Sequence, residues 1–152
     1  MGLRLAATWF LIGEVAPVAP ATAASLAVLP LMAVFWGLPW AAQAGITFLF
    51  TWIAVLVSTR AEKAYGHDAK AIVIDEVAGM LVTFLFLPPA GDLRTRLLVL
   101  AAGFLFFRLF DVLKPFPAGR AQNLPGGQGV VMDDVAAGVY ANVLLRVGLT
   151  FL

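Results

Sequence analysis

Two adjacent acidic pairs, Asp75-Glu76 and Asp133-Asp134, and a lone Asp111 stand in or beside long apolar runs of a chain that is 62% hydrophobic and only 12% charged. Ionisable groups in such surroundings are costly, and usually face a bundle interior or a water-filled cavity where they pair or bind ions. Neighbouring helical residues point about 100° apart. Each pair can therefore send one carboxylate to a shared centre and the other to an adjacent ligand. Carboxylates gathered in this way repel one another unless a cation holds them. Hard oxygen donors suit Mg²⁺, which keeps several waters and is commonly bound by a few carboxylates together with a phosphate.

Arg108, Asp111 and Lys114 recur at i, i+3, i+6, broadly on one side of a helix. Arg108 offers a guanidinium fork able to grip phosphate through two parallel hydrogen bonds, and Lys114 a point charge. On spacing alone, an Arg108–Asp111 ion pair with a snorkelling Lys114 explains the same pattern. Gly126, Gly127 and Gly129 precede Asp133-Asp134, a place where backbone amides could converge on an anion, although a plain flexible loop has the same composition. The single histidine, His67, reads as a surface or capping residue. One histidine does not supply a phosphatase chemistry that needs two.

The elements that must carry these residues read as membrane helices. A typical soluble domain is about 45–50% apolar and about 25% charged, so this chain has too little polar residue to cover itself, and its solvent is largely lipid. The net charge of +1 and the lack of any dense basic run give no reason to expect nucleic acid as a partner. Without cysteine, disulfides and thiolate metal sites are excluded. Arg4, an apolar run and Ala21-Thr22-Ala23 imitate a signal peptide, but Glu14 and two prolines interrupt the run, and the segment is expected to be retained. Residues 5–13 are too few to span about 30 Å of hydrocarbon, which points to an interfacial or re-entrant helix. The uncharged stretch 15–59 is divided at Pro39 into two spans, 22–38 and 41–59, with Trp36, Trp40 and Trp52 as interfacial anchors. A third span must begin near Ile72 and end before Pro88, which puts Asp75-Glu76 just inside one end. The fourth covers 97–113 and stops at Lys114-Pro115, and the fifth starts at Asp133. The expected fold is all-α, an integral membrane bundle of about five membrane helices plus the short N-terminal helix, forming a single domain over residues 1–152.

Threading these helices alternately puts Arg4, Arg60, Lys63, Lys70, Arg108, Lys114 and Arg120 on one face, seven of the ten basic residues, with every acid except Asp92. The positive-inside rule makes that face cytoplasmic.

Three blocks then match a known pattern. IVIDEVAGM at 72–80, FRLFDVLKPFP at 107–117 and GGQGVVMDDVAAGVYAN at 126–142 closely resemble the phosphatidylglycerophosphatase A family, in its order and with roughly its spacing. His67-Asp68 stands where the family has an acidic residue ahead of its IVxDE block, a possible auxiliary position. PVAPATAAS at 17–25 resembles the family's P-x-A-P-G-T-x-G-S segment. It keeps Pro17, Pro20, Thr22 and Ser25 but has Ala21 and Ala24 at the glycine positions, which weakens any role for backbone amides there. The resemblance implies a Mg²⁺-dependent membrane phosphatase that converts phosphatidylglycerophosphate to phosphatidylglycerol and inorganic phosphate during phospholipid biosynthesis in a bacterial cytoplasmic membrane.

The expected site therefore has Asp75, Glu76, Asp133 and Asp134 on metal, with Asp111 as a further catalytic acid. Arg108, Lys114, Thr22, Ser25, Gly126, Gly127 and Gly129 face the substrate phosphate. Attack by an activated water and attack by an aspartate nucleophile both remain open. The competing reading is a small cation transporter or channel whose intramembrane acids line an ion path. It predicts acids spread through the membrane depth, whereas these crowd at one face.

Overall fold

A computed structural model describes residues 2–15, 19–65, 69, 71–89, 91–116 and 118–151. His67, Asp68, Lys70 and Pro17 lie outside the described residues. The described chain is all-helical: α1 (Gly2–Ala7), α2 (Ile12–Val15), α3 (Pro20–Trp36), α4 (Trp40–Tyr65), α5 (Ile74–Thr83), α6 (Leu93–Leu113), α7 (Ala118–Ala121) and α8 (Gly127–Leu149).

The centre is α5, every residue of which is buried. It packs against α8, α4, α3 and α6. Glycines set its closeness to α8: a Cβ on Gly138 would stand 2.4 Å from the Gly79 carbonyl oxygen, and one on Gly79 would stand 2.4 Å from the Phe107 ring and 2.8 Å from the Asp134 carbonyl oxygen. Such small-residue contacts let helix backbones approach closely. Val28, Met32, Met80, Phe84 and Phe107 fill the main core. Large apolar side chains also point outward, among them Val34, Phe48, Trp52, Leu105 and Val143.

The third expected helix is shorter than the sequence suggests. With ten residues α5 is about 15 Å long, half of what a membrane crossing takes. A turn at Phe84–Phe86, with Phe86 at φ 54°, and then Pro88 and Pro89 end it. The groups freed at that end are held by distant side chains. Asn142 Nδ2 donates to the carbonyls of Thr83 and Leu85, both at 2.9 Å, and of Val82 at 3.3 Å. Arg146 Nη2 donates to Phe86 O at 2.7 Å and to Leu85 O at 3.2 Å. Gln43 Oε1 accepts the Phe86 amide at 2.8 Å, and Trp36 Nε1 donates to Leu87 O at 3.2 Å. One end of the bundle thus gathers the α3–α4 turn, the end of α5 and the end of α8.

The other end also differs from expectation. Helix α4 continues to Tyr65, so the polar segment after Thr59 is helical at least that far. Helix α6 starts at Leu93 rather than Leu97 because Asp92 caps it, accepting from Thr95 N at 2.9 Å. It stops where expected, on Lys114 in a left-handed conformation, φ 42°. Helix α8 begins at Gly127 rather than Asp133, which carries the acidic pair nearly two turns inside it. The N-terminal segment is a hairpin: α1 leads into three successive left-handed residues, Trp9, Phe10 and Leu11, and α2 returns. Arg4 and Glu14 pair across its open end, and Trp9 packs edge-on against Phe50.

By length and composition α4 passes the test for a membrane span, and among the described residues it is the one helix that does; α3 is apolar but has only 17 residues.

Candidate metal and phosphate site

Asp75 and Glu76 occupy the first turn of α5, where the helix dipole favours negative charge. Asp134 faces them from α8. Each of the three offers a carboxylate oxygen, all within 4.8 Å of one another, and all three side chains are buried. Asp75 Oδ1, Glu76 Oε2 and Asp134 Oδ2 are buried with no hydrogen-bond partner. Three carboxylates gathered this closely in a protein interior repel one another when charged, and each buried oxygen without a partner carries its full desolvation penalty. A hard divalent cation removes both costs. An octahedral ion with oxygens at about 2.1 Å holds adjacent ligands about 3 Å apart and opposite ones about 4.2 Å apart, so the trio would have to draw inward to close around it. The donor set fits Mg²⁺.

Asp133 does not join them. One of its oxygens takes Lys114 Nζ at 2.5 Å, and the other accepts the Asp134 amide at 3.0 Å. Of the four expected ligands the fold brings three together and turns the fourth toward the expected phosphate-binding lysine. Lys114 lies between α6 and α7, where burial alone would lower its pKa. The hydrogen bond to Asp133 and the charges of Asp133, Asp111 and Asp134 more than reverse this, so its pKa is raised and its ammonium is kept charged.

Arg108 Nη1 stands 2.6 Å from Asp111 Oδ2 and 3.9 Å from Glu76 Oε1. The first contact is the i, i+3 ion pair of the simpler sequence reading, and the second carries Arg108 beyond it to the trio. Nη1 is buried and lacks an aligned hydrogen bond, so this guanidinium sits at the cluster with donor capacity to spare. Asp111 is close enough for its charge to act on Asp75, Glu76 and Asp134.

The glycines behave differently from a phosphate-cradling loop. Gly126 caps α8 at φ 61°, while Gly127 and Gly129 are inside the helix. A Cβ on Gly127 would stand 2.4 Å from Thr59 N and 2.5 Å from Val55 O, and one on Gly129 would stand 2.5 Å from Leu124 O. The Gly127 amide donates to Thr59 Oγ1 at 3.1 Å. These positions let α8 approach α4 and the preceding turn. Ser25 is fully buried, with its hydroxyl donating to Ala21 O at 2.9 Å, which leaves that proton engaged within α3. Thr22 is half-buried in the first turn of α3. Asn142, Arg146 and Gln43, which hold the far end of the helix bearing Asp75-Glu76, were missed from sequence. The signal available was three polar residues within otherwise apolar runs.

Residues 5–149 match the family model described as Phosphatidylglycerophosphatase A. A protein of Bacteroides thetaiotaomicron, named provisionally as a phosphatidylinositol-3-phosphatase, is 38% identical over 86% of this chain and 84% of its own. The Escherichia coli protein named Phosphatidylglycerophosphatase A is 34% identical over 96% of this chain and 87% of its own. One of the same name from Haemophilus influenzae is 36% identical over 52% of this chain and 46% of its own. No solved structure matches the chain significantly.

Proposed function

The chain belongs to the phosphatidylglycerophosphatase A family, and from that premise we propose a Mg²⁺-dependent phosphatase that releases inorganic phosphate from phosphatidylglycerophosphate, leaving phosphatidylglycerol. The observation that carries the reading is the buried trio Asp75, Glu76 and Asp134 with its three unpartnered oxygens beside Arg108. In this reading Asp75, Glu76 and Asp134 hold the metal. When bound, Mg²⁺ would polarise the phosphoryl group and supply an acidified water. Arg108 and Lys114 take the phosphate oxygens and offset their charge as the bond to the leaving alcohol breaks. Asp111 orients Arg108, and Asp133 orients Lys114.

We place the protein in a bacterial cytoplasmic membrane, with α3, α4, α6 and α8 crossing it. The stretch 71–89 crosses as a half-length helix with non-helical ends, so the alternation expected for five crossings is kept. The outward-facing apolar side chains support this. So does the side-chain capping at the end of α5, since backbone groups inside a bilayer need partners within the protein. The site then opens to the cytoplasmic end, recessed below the start of α8. Asp134 lies seven residues after Gly127, about 10 Å along the helix, so the headgroup must enter the bundle.

A second substrate enters the test because the Bacteroides relative carries a phosphoinositide phosphatase name. Purified protein in detergent is offered phosphatidylglycerophosphate and phosphatidylinositol-3-phosphate, each with Mg²⁺ or with EDTA. Mg²⁺-dependent release from the first, and a slower rate on the second, is expected. A folded preparation that releases phosphate from neither defeats the proposal, and a preference for the phosphoinositide replaces the substrate.

A further inference from the structure

The N-terminal hairpin reaches the start of the metal-bearing helix, a contact that the catalytic reading does not use. Val73 is the N-cap of α5 and has no side-chain cap of its own. Its amide donates to the Ala7 carbonyl of the hairpin at 2.9 Å. In a capping box, the glutamate three residues into a helix folds back onto the N-cap amide. Here that glutamate is Glu76, and its Oε2 is left without a partner at the site. Ala7 thus occupies the bonding position that would otherwise draw Glu76 away from Asp75 and Asp134.

The hairpin is held in place at two points. At Gly13 its backbone lies so close to the segment before α5 that a Cβ would stand 2.3 Å from Ala71 O and 3.2 Å from Val73 Cγ2. At its open end Arg4 Nε donates to both Glu14 oxygens, at 2.7 and 3.0 Å, and the Tyr65 hydroxyl donates to Glu14 Oε1 at 2.8 Å. That clasp holds both arms of the hairpin to the end of α4, against the strain of three left-handed non-glycine residues at its tip.

We infer that the hairpin is a positioning device for the metal site: Gly13 and the Arg4–Glu14–Tyr65 clasp keep the Ala7 carbonyl on the Val73 amide, and this frees Glu76 to face Asp75 and Asp134. The inference rests on the metal reading given above. It makes Gly13, Arg4 and Glu14 positioning residues for metal affinity, at a distance from any substrate.

Mg²⁺ is titrated calorimetrically into purified full-length protein in detergent, and the Mg²⁺ concentration giving half-maximal phosphate release is measured alongside. Gly13→Val, Glu14→Gln and, as a control, Gly45→Ala, at a site with no atom within 4 Å of the new Cβ, are compared with wild type. Gly13→Val and Glu14→Gln are expected to weaken Mg²⁺ binding by about tenfold, the scale seen when the support of a metal ligand is lost. The rate at saturating Mg²⁺ should stay near wild type, and Gly45→Ala should change neither quantity. Should Gly13→Val fail to fold, Glu14→Gln, altered in an exposed pair, decides. Unchanged Mg²⁺ affinity in a folded Glu14→Gln overturns the inference, whereas a wild type that binds no Mg²⁺ overturns the metal reading beneath it.

Discussion

At the scale of single residues, the trio of carboxylates sets signs that need no substrate to measure. Asp75, Glu76 and Asp134 repel at close range in the metal-free protein. A cation that binds only the folded state adds about 2.7 kcal/mol at a hundredfold excess over its dissociation constant, or about 5–10 °C of melting temperature for a chain of this size. Mg²⁺ should therefore raise the melting temperature by that amount in scanning fluorimetry. Asp134→Asn removes one repelling charge, and should raise the metal-free value while abolishing both the Mg²⁺ increment and phosphate release. A variant that keeps the increment would remove Asp134 from the metal. A second sign belongs to Glu14, whose carboxyl is held at about 2, below its usual 4.5, by the hydrogen bonds from Arg4 and Tyr65. Because the folded value is the lower one, its contribution is complete above about 4.5 and is lost as the pH falls toward 2. Docking of the hairpin, followed by Trp9 fluorescence in a variant with the other tryptophans replaced, should persist to pH 5 and release between 4.5 and 2. These acids were legible in the sequence because buried charge in apolar chain demands a reason. The pairing of Asp133 with Lys114 was not. It depends on which side of α8 each neighbour faces, and an adjacent acidic pair does not encode that.

At the scale of elements, what the sequence hid was where helices end. Apolar continuity around 72–87 reads as one full-length helix because hydropathy does not register a half-length helix whose carbonyls are satisfied by a side chain 57 to 60 residues away. The start of α8 was misplaced for a related reason. Glycines that open a flexible loop and glycines that let a helix lie on Val55 and Thr59 have the same letters, and only the partner distinguishes them. Helix ends with local causes were easier, as at Lys114-Pro115. Asn142 tests the long-range cause. Its replacement by leucine keeps the branched shape but leaves the Val82, Thr83 and Leu85 carbonyls with fewer donors, at a cost of about 1–3 kcal/mol. Denaturation in detergent should show that loss. Activity should fall further than the fraction folded, since a frayed α5 moves Asp75-Glu76, and a stability equal to wild type would mean that the carbonyls find other donors. Gly138→Ala tests the opposite face, where a methyl 2.4 Å from Gly79 O forces α5 and α8 apart, and should cost both stability and Mg²⁺ affinity.

At the scale of the whole molecule, composition said correctly that polar residues are too few to clothe the fold, and the outward Phe48, Trp52, Leu105 and Val143 are where that shortage surfaces. Arg94 and Arg96 lie at the end that gathers Trp36, Gln43 and the end of α5, while Lys114 and Arg120 lie at the end that carries the carboxylates. If the positive-inside rule governs, the site end is cytoplasmic, and the absence of cysteine from the chain makes this directly measurable. Single cysteines at two exposed positions, Arg94→Cys and Arg120→Cys, leave the site residues untouched. In intact cells a membrane-impermeant maleimide should label Arg94→Cys, and it should reach Arg120→Cys only after permeabilisation. The reverse pattern would put the carboxylates on the external side and overturn the cytoplasmic placement of the site. Equal labelling of both in intact cells would mean that the two ends are not separated by a membrane, and the span assignments of α3, α6 and α8 would fall together.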